Sequence, residues 1–485
     1  MELWNAIASL TPSSSRYYDE MYDGAAVRPH YERTQSVLSR MSYEERAARQ
    51  RAMNRRLLEE GITFTLPQPD QADGLERTIP FDLVPRIIPS EEWETIESGV
   101  SQRVRALNAF LHDVHHEQHI FHDGLLPRRM IMSNRYFRTE MMGLRVPGGS
   151  YITASGIDLI RDDKGGYFVL EDNLRAPSGF SYLFKSRSIM THDFPELYFS
   201  HAVRGVDRSL DAFRSALRGM AQTDKSDPVL ALLTPGSYNS AYFEHTFLAQ
   251  QMGLELVEGR DLVCRDHKIY IRGLNGLRKV DVLYRRIDDD FLDPLAFRPD
   301  SMLGVAGLMN AYRFGNVAIA NAPGTGVADD KAIYTFVPDM IRYYLNETPI
   351  LPNVPTYLMS RPEEREYVLG RLEEMVVKET SLSGGYGMLV GPSSTERERE
   401  RFAAKIRENP DNYIAQPTIR LSTAPVCLDG QFVSRHIDLR VFALMNGGQV
   451  HVLPGGLTRV AMKEGSLIVN SSQGGGCKDT WVLAR

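Results

Sequence analysis

The chain has 485 residues, with 56 Lys and Arg against 62 Asp and Glu, and its formal net charge is −6. This length allows about two to four domains, each with a sizeable core, and the negative charge argues against a nucleic-acid partner but not against a small anion in a local basic pocket. We see no apolar run long enough to span a bilayer, no signal peptide at Met1–Asn5, and no metal-ligand spacing among the three cysteines. We therefore expect a cytoplasmic protein with no membrane or nucleic-acid partner.

The first part of the chain is predicted to be helical. Residues up to about Gln68 are highly charged, and 43–50 contain strong helix formers throughout. A second helix is expected to start at Ser90, a good N-cap that is followed by two glutamates, and to run through 104–111.

Two short apolar strands follow, near 156–160 and 167–173, joined by a charged glycine turn. Asp158 lies on the first strand, and alternation places Glu171 and Asn173 on one face of the second. Carboxylate and amide oxygens are hard ligands that suit Mg²⁺ with bound phosphates. The sequence therefore predicts a magnesium site here.

An α/β unit is predicted to begin near residue 227. Short apolar strands at 229–233, 254–257 and 280–284 alternate with a helix at 241–252, which favours a parallel sheet. Four polar residues follow the first strand, at the edge where such sheets bind ligands. Both substrate contact and local capping are open for them: Tyr238, Asn239, Glu244 and His245.

The last third is predicted to contain a helix at 327–345, a strand at 375–378, a charged helix at 394–408 and longer strands to the end. Lys378 ends an apolar strand and precedes a glycine-rich turn whose backbone N–H groups could approach phosphate oxygens. The turn includes Gly384, Gly385, Tyr386 and Gly387. It is not a Walker A loop, and a glycine-rich hairpin is the simple alternative.

Two other positions are candidates for nucleotide contact. Lys331 lies at the start of the predicted helix, where a solvated lysine is the plain alternative. Gln416 lies in a strand bent by a proline, which is either an edge strand or a nucleotide hinge whose backbone reads the adenine edge.

The C-terminal strands carry a further group of polar residues. Asp438 and Arg440 share one face of a strand, Arg459 lies on the next, and Asn470 precedes the glycines 474–476. Arginines beside a glycine-rich segment would suit developing phosphate charge. Structural ion pairing of Asp438 with Arg440 or Arg435 is the competing account.

Together these segments resemble an ATP-grasp ligase, and their order resembles the circularly permuted type 2 ATP-grasp family, which is related to glutathionylspermidine synthetases. The Asp…Glu-x-Asn element that ordinarily closes the chain comes first here, at Asp158, Glu171 and Asn173. Segments 17–23, 285–290 and 474–481 also look like that family, so the resemblance covers nearly the whole chain.

The resemblance implies a mixed α/β (α+β) chain with a circularly permuted ATP-grasp fold. The domains expected from it are a helical N-terminal region (1–75), a permuted part of the core with the metal ligands (76–225), a Rossmann-like pre-ATP-grasp α/β unit (226–325), and the ATP-binding part of the core (326–485).

ATP and Mg²⁺ are the cofactors that the resemblance implies. It assigns Mg²⁺ binding to Asp158, Glu171 and Asn173, and catalytic roles to Arg459, Arg440 and Lys378. It assigns ATP binding to Lys331, Lys378, Gly384, Gly385, Tyr386, Gly387, Gln416 and Asn470.

The implied activity joins a small-molecule or peptide carboxylate to an amine through an acyl phosphate. Two departures from glutathionylspermidine synthetases argue against glutathione and spermidine as substrates. Gly156 stands where those enzymes carry an arginine, and no cysteine precedes Cys264, so their amidase half is absent.

Other functions remain open. The chain could be a non-catalytic nucleotide-binding regulator, or an enzyme of another class that shares the fold. Five histidines at helical spacing could hold a metal, although a solvated helix end is at least as simple: His112, His115, His116, His119 and His122. The sequence does not indicate the oligomeric state.

Overall fold

A computed structural model describes residues 17–68, 71–223, 225–381, 387–470 and 474–485, with the backbone alone for 63–68 and 71–77. Within these residues the α-helices are α1 (Glu32–Ser39), α2 (Tyr43–Glu59), α3 (Ser90–His115), α4 (His119–His122), α5 (Arg128–Met132), α6 (Phe180–Asp193), α7 (Pro195–Tyr198), α8 (Arg208–Gly219), α9 (Tyr242–Met252), α10 (Leu308–Arg313), α11 (Val337–Leu345), α12 (Pro362–Leu369) and α13 (Glu396–Glu408).

The strands in the same residues are β1 (Tyr22–Asp23), β2 (Ala26–Val27), β3 (Thr63–Gln68), β4 (Gln71–Thr78), β5 (Phe81–Ile88), β6 (Ala154–Arg161), β7 (Tyr167–Asn173), β8 (Leu230–Leu233), β9 (Glu255–Val257), β10 (Leu262–Arg265), β11 (Lys268–Gly273), β12 (Gly276–Lys279), β13 (Val282–Arg285), β14 (Ala318–Ala320), β15 (Tyr357–Leu358), β16 (Met375–Glu379), β17 (Leu389–Val390), β18 (Tyr413–Pro417), β19 (Thr423–Leu428), β20 (Gln431–Asn446), β21 (Gln449–Val460) and β22 (Gly476–Val482).

The central sheet joins segments that are far apart in sequence. Its order is β5-β22-β21-β20-β6-β7, and β19 pairs with β20. Strand β6 lies antiparallel to β20, with Asp158 opposite Arg440, and β7 lies beside β6, with Glu171 opposite Asp158. The predicted metal-binding strands are therefore built into the same sheet as the C-terminal arginines, as a circular permutation requires.

Helices cover both faces of this sheet. On β20, Leu439 and Val441 belong to the core cluster that includes α3, whereas Phe442 and Leu444 belong to the cluster that includes α6. Because side chains alternate along a strand, Asp438 and Arg440 lie on the α6 side. This alternation places Asp438 and Arg440 on the side of the sheet that faces the N-terminal end of α6.

The predicted parallel sheet of the α/β unit is confirmed. Its order is β14-β13-β8-β9, and every neighbouring pair is parallel. The connection from β8 leads to β9 on one side, and the connection from β13 leads to β14 on the other side. The two connections therefore diverge between β8 and β13. Open α/β sheets bind ligands at the carboxyl ends of strands at such a point.

A third sheet, β15-β18-β16-β17, brings Lys378 and Gln416 onto neighbouring strands. The predicted charged helix is confirmed as α13, which Thr395 and Glu398 begin with a reciprocal capping box. The single helix predicted at 327–345 is wrong. Asp330 is extended and its carboxylate accepts from the backbone N–H groups of two following residues, so only α11 is α-helical there.

Two N-terminal predictions also need correction. The helices before residue 60 are present as α1 and α2, but Thr63–Gln68 is a strand that pairs with β4. Ser90 is the first residue of α3, and extended Pro89 is the cap. No helix in the described part of the chain is long and apolar enough to cross a lipid bilayer.

Candidate functional site

A cavity of about 440 Å³ lies between the central sheet and the third sheet, and loop residues after β7 and β13 complete its wall. Its wall includes most of the residues that the sequence singles out. These are Glu171, Asn173, Lys331, Lys378, Gln416, Arg440, Arg459 and Asn470. Asp158 lies directly behind the wall, with a fully buried side chain.

A chain of charged side chains forms the floor of the cavity. Arg459 donates to Asp438 Oδ1 at 2.9 Å and to Asp158 Oδ2 at 2.7 Å. Arg440 donates to the two oxygens of Asp158 at 2.6 and 2.8 Å. The competing prediction of a structural pair for Asp438 is therefore partly right, but its partner is Arg459 rather than Arg440 or Arg435.

The charges of this network stabilise one another. Burial raises the pKa of the Asp158 carboxyl, but the Arg440 and Arg459 guanidinium groups outweigh burial and hold that pKa well below its usual range. Burial lowers the pKa of Arg459, and the two carboxylates more than reverse this effect. Asp158 and Arg459 are therefore ionised at neutral pH, whereas burial raises the pKa of Asp438 although Arg459 opposes that shift.

Glu171 and Asn173 present oxygens to the cavity beside this floor. The Glu171 carboxylate is 3.9 Å from both Lys331 Nζ and Arg440 Nη2, which is longer than a direct hydrogen bond. The Asn173 amide nitrogen donates to Gly156 O at 3.2 Å, so its carbonyl oxygen faces away from that contact. These two oxygen donors suit Mg²⁺.

Asp158 fits a metal less simply. Oδ2 accepts from two guanidinium groups and Oδ1 from one, so about one of the four lone-pair positions of the carboxylate remains on Oδ1. In the described residues there is no group of three or more His, Cys, Asp and Glu that could hold a metal. Glu171 and Asn173 thus form the open part of the predicted metal site.

Lys378 enters the cavity from the third sheet. Its Nζ donates to Gln416 Oε1 at 2.8 Å. Burial lowers the pKa of Lys378 to about 8, with Glu171 opposing that shift and Lys331 adding to it. The lysine is therefore a desolvated cation with space for an anion beside it.

The nucleotide binding predicted from the sequence should be coupled to proton uptake at Lys378. Its folded pKa lies below the value of 10.5 in a free lysine, so burial of the charge destabilises the folded protein below pH 8, and this penalty fades as pH rises from 8 to 10.5. A phosphate beside Nζ would favour the charged form of the lysine, so affinity for ATP should fall above pH 8.

Titration calorimetry at pH 8.5 in buffers of different ionisation enthalpy should detect uptake of up to about one proton on ATP binding. The Lys378→Met variant should show no such proton uptake. Equal heats in all buffers would contradict this prediction.

Three residues of the predicted glycine-rich turn, Gly384, Gly385 and Tyr386, lie outside the described residues, and Gly387 follows them with a φ of 67°. Before them, the Tyr136 hydroxyl donates to Ser381 O at 2.9 Å, and Lys331 N donates to Thr380 O.

Several residues in the cavity wall were not identified from the sequence. Arg175 donates to Asp329 at 2.7 Å and to Asp288 at 3.1 Å, and all three line the cavity. Burial raises the pKa of Asp329 to about 6, although Arg175 opposes this shift. The sequence offered one signal for Arg175 as a site residue, which is its position two residues after Asn173. Its carboxylate partners could not be predicted in this way, because they come from distant loops.

The surroundings of residue 156 explain why it is a glycine. A Cβ there would lie 3.2 Å from Arg440 Cδ and 3.3 Å from Pro177 Cβ. The Arg440 stem therefore fills the space that a side chain at 156 would need.

The polar residues after β8 do not reach the cavity wall. Glu244 and His245 are buried, and Tyr238 is largely exposed. Glu244 accepts from the N–H groups of Gly179 and Ser181, so it caps α6 rather than its own helix. In the histidine series, His115 is buried against Phe137 and Tyr151, and His112 stacks on His116.

The sheet order and the residues around the cavity define an ATP-grasp protein whose two core segments have exchanged places in the sequence. The family described as "Circularly permuted ATP-grasp type 2" matches residues 85–461, and the chain belongs to it.

Relatives extend along almost the whole chain. An uncharacterized protein of Mycobacterium tuberculosis strain H37Rv is 51% identical over 468 residues, which is 96% of this chain and 84% of that protein. An uncharacterized protein of Synechocystis is 53% identical over 423 residues, covering 87% and 88% of the two chains. A Frankia casuarinae protein named "Putative glutamate--cysteine ligase 2-2" is 41% identical over 475 residues, or 96% of this chain, which spans only 54% of that longer protein.

A solved structure has the same fold. The apo form of a glutathione synthetase-like effector from Globodera pallida aligns with a TM-score of 0.60 and 12% identity, covering 91% of this chain and 98% of that one.

Proposed function

We propose that the protein is an ATP- and Mg²⁺-dependent ligase that joins a carboxylate to an amine and releases ADP and phosphate. The observation that carries this proposal is the convergence on one cavity of Glu171, Asn173, Arg440 and Arg459 from the central sheet and of Lys378 from a separate sheet. The name of the Frankia relative supports a ligase of this kind.

In the proposed reaction, a carboxylate oxygen attacks the γ-phosphorus of ATP, the bond to the β-phosphate oxygen breaks, and ADP leaves. The amine then attacks the acyl carbon, loses a proton, and displaces inorganic phosphate. Phosphoryl transfer needs mostly positioning and charge neutralisation. Arg440 and Lys378 supply positive charge around the transferred group, and Arg459 holds the carboxylates behind it in place.

Glu171 and the Asn173 carbonyl would hold Mg²⁺, with Asp158 Oδ1 beside them. These residues would hold the ion so that it supplies positive charge to the phosphates as negative charge develops on them. The protein itself fixes the positions of these side chains. Asn173 donates a hydrogen bond to β6, and Asp158 accepts a hydrogen bond from Arg440 on β20.

The proposal is tested by ADP release in the presence of Mg²⁺. L-Glutamate with L-cysteine is the first pair to assay, followed by a panel of amino acids, peptides and polyamines, with the product mass measured by mass spectrometry. A product that combines acid and amine with loss of water, formed with one ADP per turnover, would support the ligase. ADP release in no member of the panel would count against it.

Lys378→Ala should weaken ATP binding without harming the nucleotide-free protein. A lost hydrogen bond to a charged group corresponds to about a tenfold to hundredfold loss of affinity, so the thermal shift at millimolar ATP and Mg²⁺ should shrink strongly. The melting temperature without ATP should stay the same or rise, because burial disfavours the lysine charge.

Lys405→Ala on the exposed face of α13 is the control, and its ATP-dependent shift should equal that of the wild type. An undiminished shift in Lys378→Ala would place the nucleotide elsewhere.

A further inference from the structure

The loop between β7 and α6 forms one wall of the cavity, and a buried ion pair from the α/β unit holds it. Arg175, Pro177, Ser178 and Gly179 all line the cavity. Behind them, Arg286 Nη2 donates to Glu244 Oε1 at 3.0 Å, and each side chain of this pair is only 2% exposed. Neither residue lines the cavity.

This ion pair forms hydrogen bonds with the backbone on both sides of Ser178. Arg286 donates to Pro177 O at 2.6 Å, and Glu244 accepts from Gly179 N at 2.8 Å. Glu244 also accepts from the N–H and the hydroxyl of Ser181. The two peptide units that flank Ser178 are therefore fixed by one pair of charges.

The second of these peptide units joins the ion pair to the cavity floor. Ser178 C=O and Gly179 N–H belong to the same planar trans unit and point in opposite directions. The N–H donates to Glu244, and the C=O accepts from Arg440 Nη1 at 3.2 Å. Rotation of this unit would break both bonds, so Glu244 on α9 fixes an acceptor for Arg440 on β20.

Unused donors are then left on the cavity side. Arg440 has five N–H groups, and three of them are used by Asp158 and Ser178 O. In the described residues, no group accepts from the Ser178 N–H or from its hydroxyl. Because Pro177 O points to buried Arg286, the Ser178 N–H of that same unit points the other way.

We propose that Glu244 and Arg286 are positioning residues that hold Ser178 and Arg440 as a donor set for the carboxylate of the acid substrate. This inference rests on the proposed ligase function. A carboxylate is planar and accepts several hydrogen bonds, so a backbone N–H, a hydroxyl and a guanidinium suit it. Arg440 of this donor set lies 3.9 Å from Glu171, where the same carboxylate would meet the γ-phosphate of ATP.

The test compares steady-state kinetics of wild type, Arg286→Lys, Glu244→Gln and Ser178→Ala. ATP with Mg²⁺ and L-cysteine is used with varied L-glutamate, or with the acid of the panel that supports ADP release. Arg286→Lys removes the planar guanidinium that bonds both Pro177 O and Glu244. We therefore expect KM for the acid to rise about tenfold to a hundredfold. KM for ATP should change by less than about twofold, because Arg440 keeps its two bonds to Asp158 and the nucleotide contacts proposed for Lys331 and Lys378 are untouched. Ser178→Ala, which removes only the hydroxyl, should raise KM for the acid by a smaller factor.

Arg187→Lys is the matched control. Arg187 also forms a buried pair, with Asp479 at 2.9 Å, and also donates to a backbone carbonyl, Thr480 O at 2.7 Å. It should lower the melting temperature as Arg286→Lys does and leave KM for the acid unchanged.

Each outcome decides the question. A wild type that releases no ADP with any acid would remove the ligase proposal and this inference with it. An active wild type whose Arg286→Lys and Glu244→Gln variants keep KM for the acid, or raise KM for ATP equally, would overturn the inference alone. If Arg286→Lys does not fold, Glu244→Gln and the partly exposed Ser178→Ala provide the same comparison.

Discussion

Glu171→Gln should lower ADP formation by about a hundredfold to a thousandfold or more, the effect typical of removing one group that stabilises transition-state charge. The substitution keeps the size of the side chain and removes the charge that would hold Mg²⁺ beside the transferring phosphate. Because this charge acts mainly when the phosphoryl group moves, ground-state nucleotide binding should suffer much less.

The measurement is ADP release at saturating substrates, together with the melting temperature with and without ATP and Mg²⁺. We expect an almost inactive variant that retains an ATP-dependent thermal shift. Glu171 is 27% exposed on its side chain, so the substitution should not unfold the protein. Glu373→Gln, on an exposed residue outside the cavity wall, should have wild-type activity.

This variant also separates the ligase from a non-catalytic regulator. A regulator would bind ATP and show no ADP release in the wild type, so Glu171→Gln would have nothing to remove. Wild-type turnover by the variant with a confirmed substrate pair would mean that the metal site is misplaced.

The sequence predicted which residues line the cavity better than it predicted how they are connected. The order of the motifs placed β6 and β7 with the C-terminal strands, and the family match supports that permutation. Local patterns were enough for α2, α13 and the parallel sheet of the α/β unit, because apolar alternation and capping residues act over a few positions.

Contacts between distant segments were beyond such patterns. Nothing near Asp158 in the sequence indicates that two arginines almost 300 residues away will share its carboxylate. The interruption of the helix predicted at 327–345 depends on Asp330, whose local hydrogen bonds compete with helix formation. The role of Glu244 as a cap for α6, a helix from another part of the chain, was equally invisible.

These long-range pairs change what mutations of the predicted catalytic arginines can reveal. Arg440 and Arg459 both neutralise Asp158, and Arg459 also neutralises Asp438, so each arginine is structural as well as close to the reacting groups. Loss of activity alone therefore cannot assign a catalytic role to Arg459, and stability must be measured in the same variant.

Arg459→Met should destabilise the protein by about 3–5 kcal/mol at pH 7, since it leaves two buried carboxylates without a shared partner. In the wild type the pKa of Asp158 is depressed, so its contribution to stability is present at neutral pH and is lost as pH falls toward that low pKa. In the variant, Asp158 keeps both hydrogen bonds from Arg440, whereas Asp438 loses its guanidinium partner, so burial should raise the pKa of Asp438, which is already above its usual value in the wild type, still further. Protonation of Asp438 would then relieve the penalty as pH falls.

The free energy of unfolding, measured by urea denaturation between pH 5 and pH 8, should therefore differ least between the two proteins at pH 5 and most at pH 8. Arg459→Met combined with Asp438→Asn should recover part of the loss, because the buried charge that lost its partner is removed. Arg435→Met is the control. Arg435 lies on the same strand as Asp438 and, among the described residues, donates only to backbone carbonyls, so no pH-dependent difference is expected. A loss of stability in Arg459→Met that is constant across this pH range would contradict the assignment of Arg459 as the partner of both buried carboxylates.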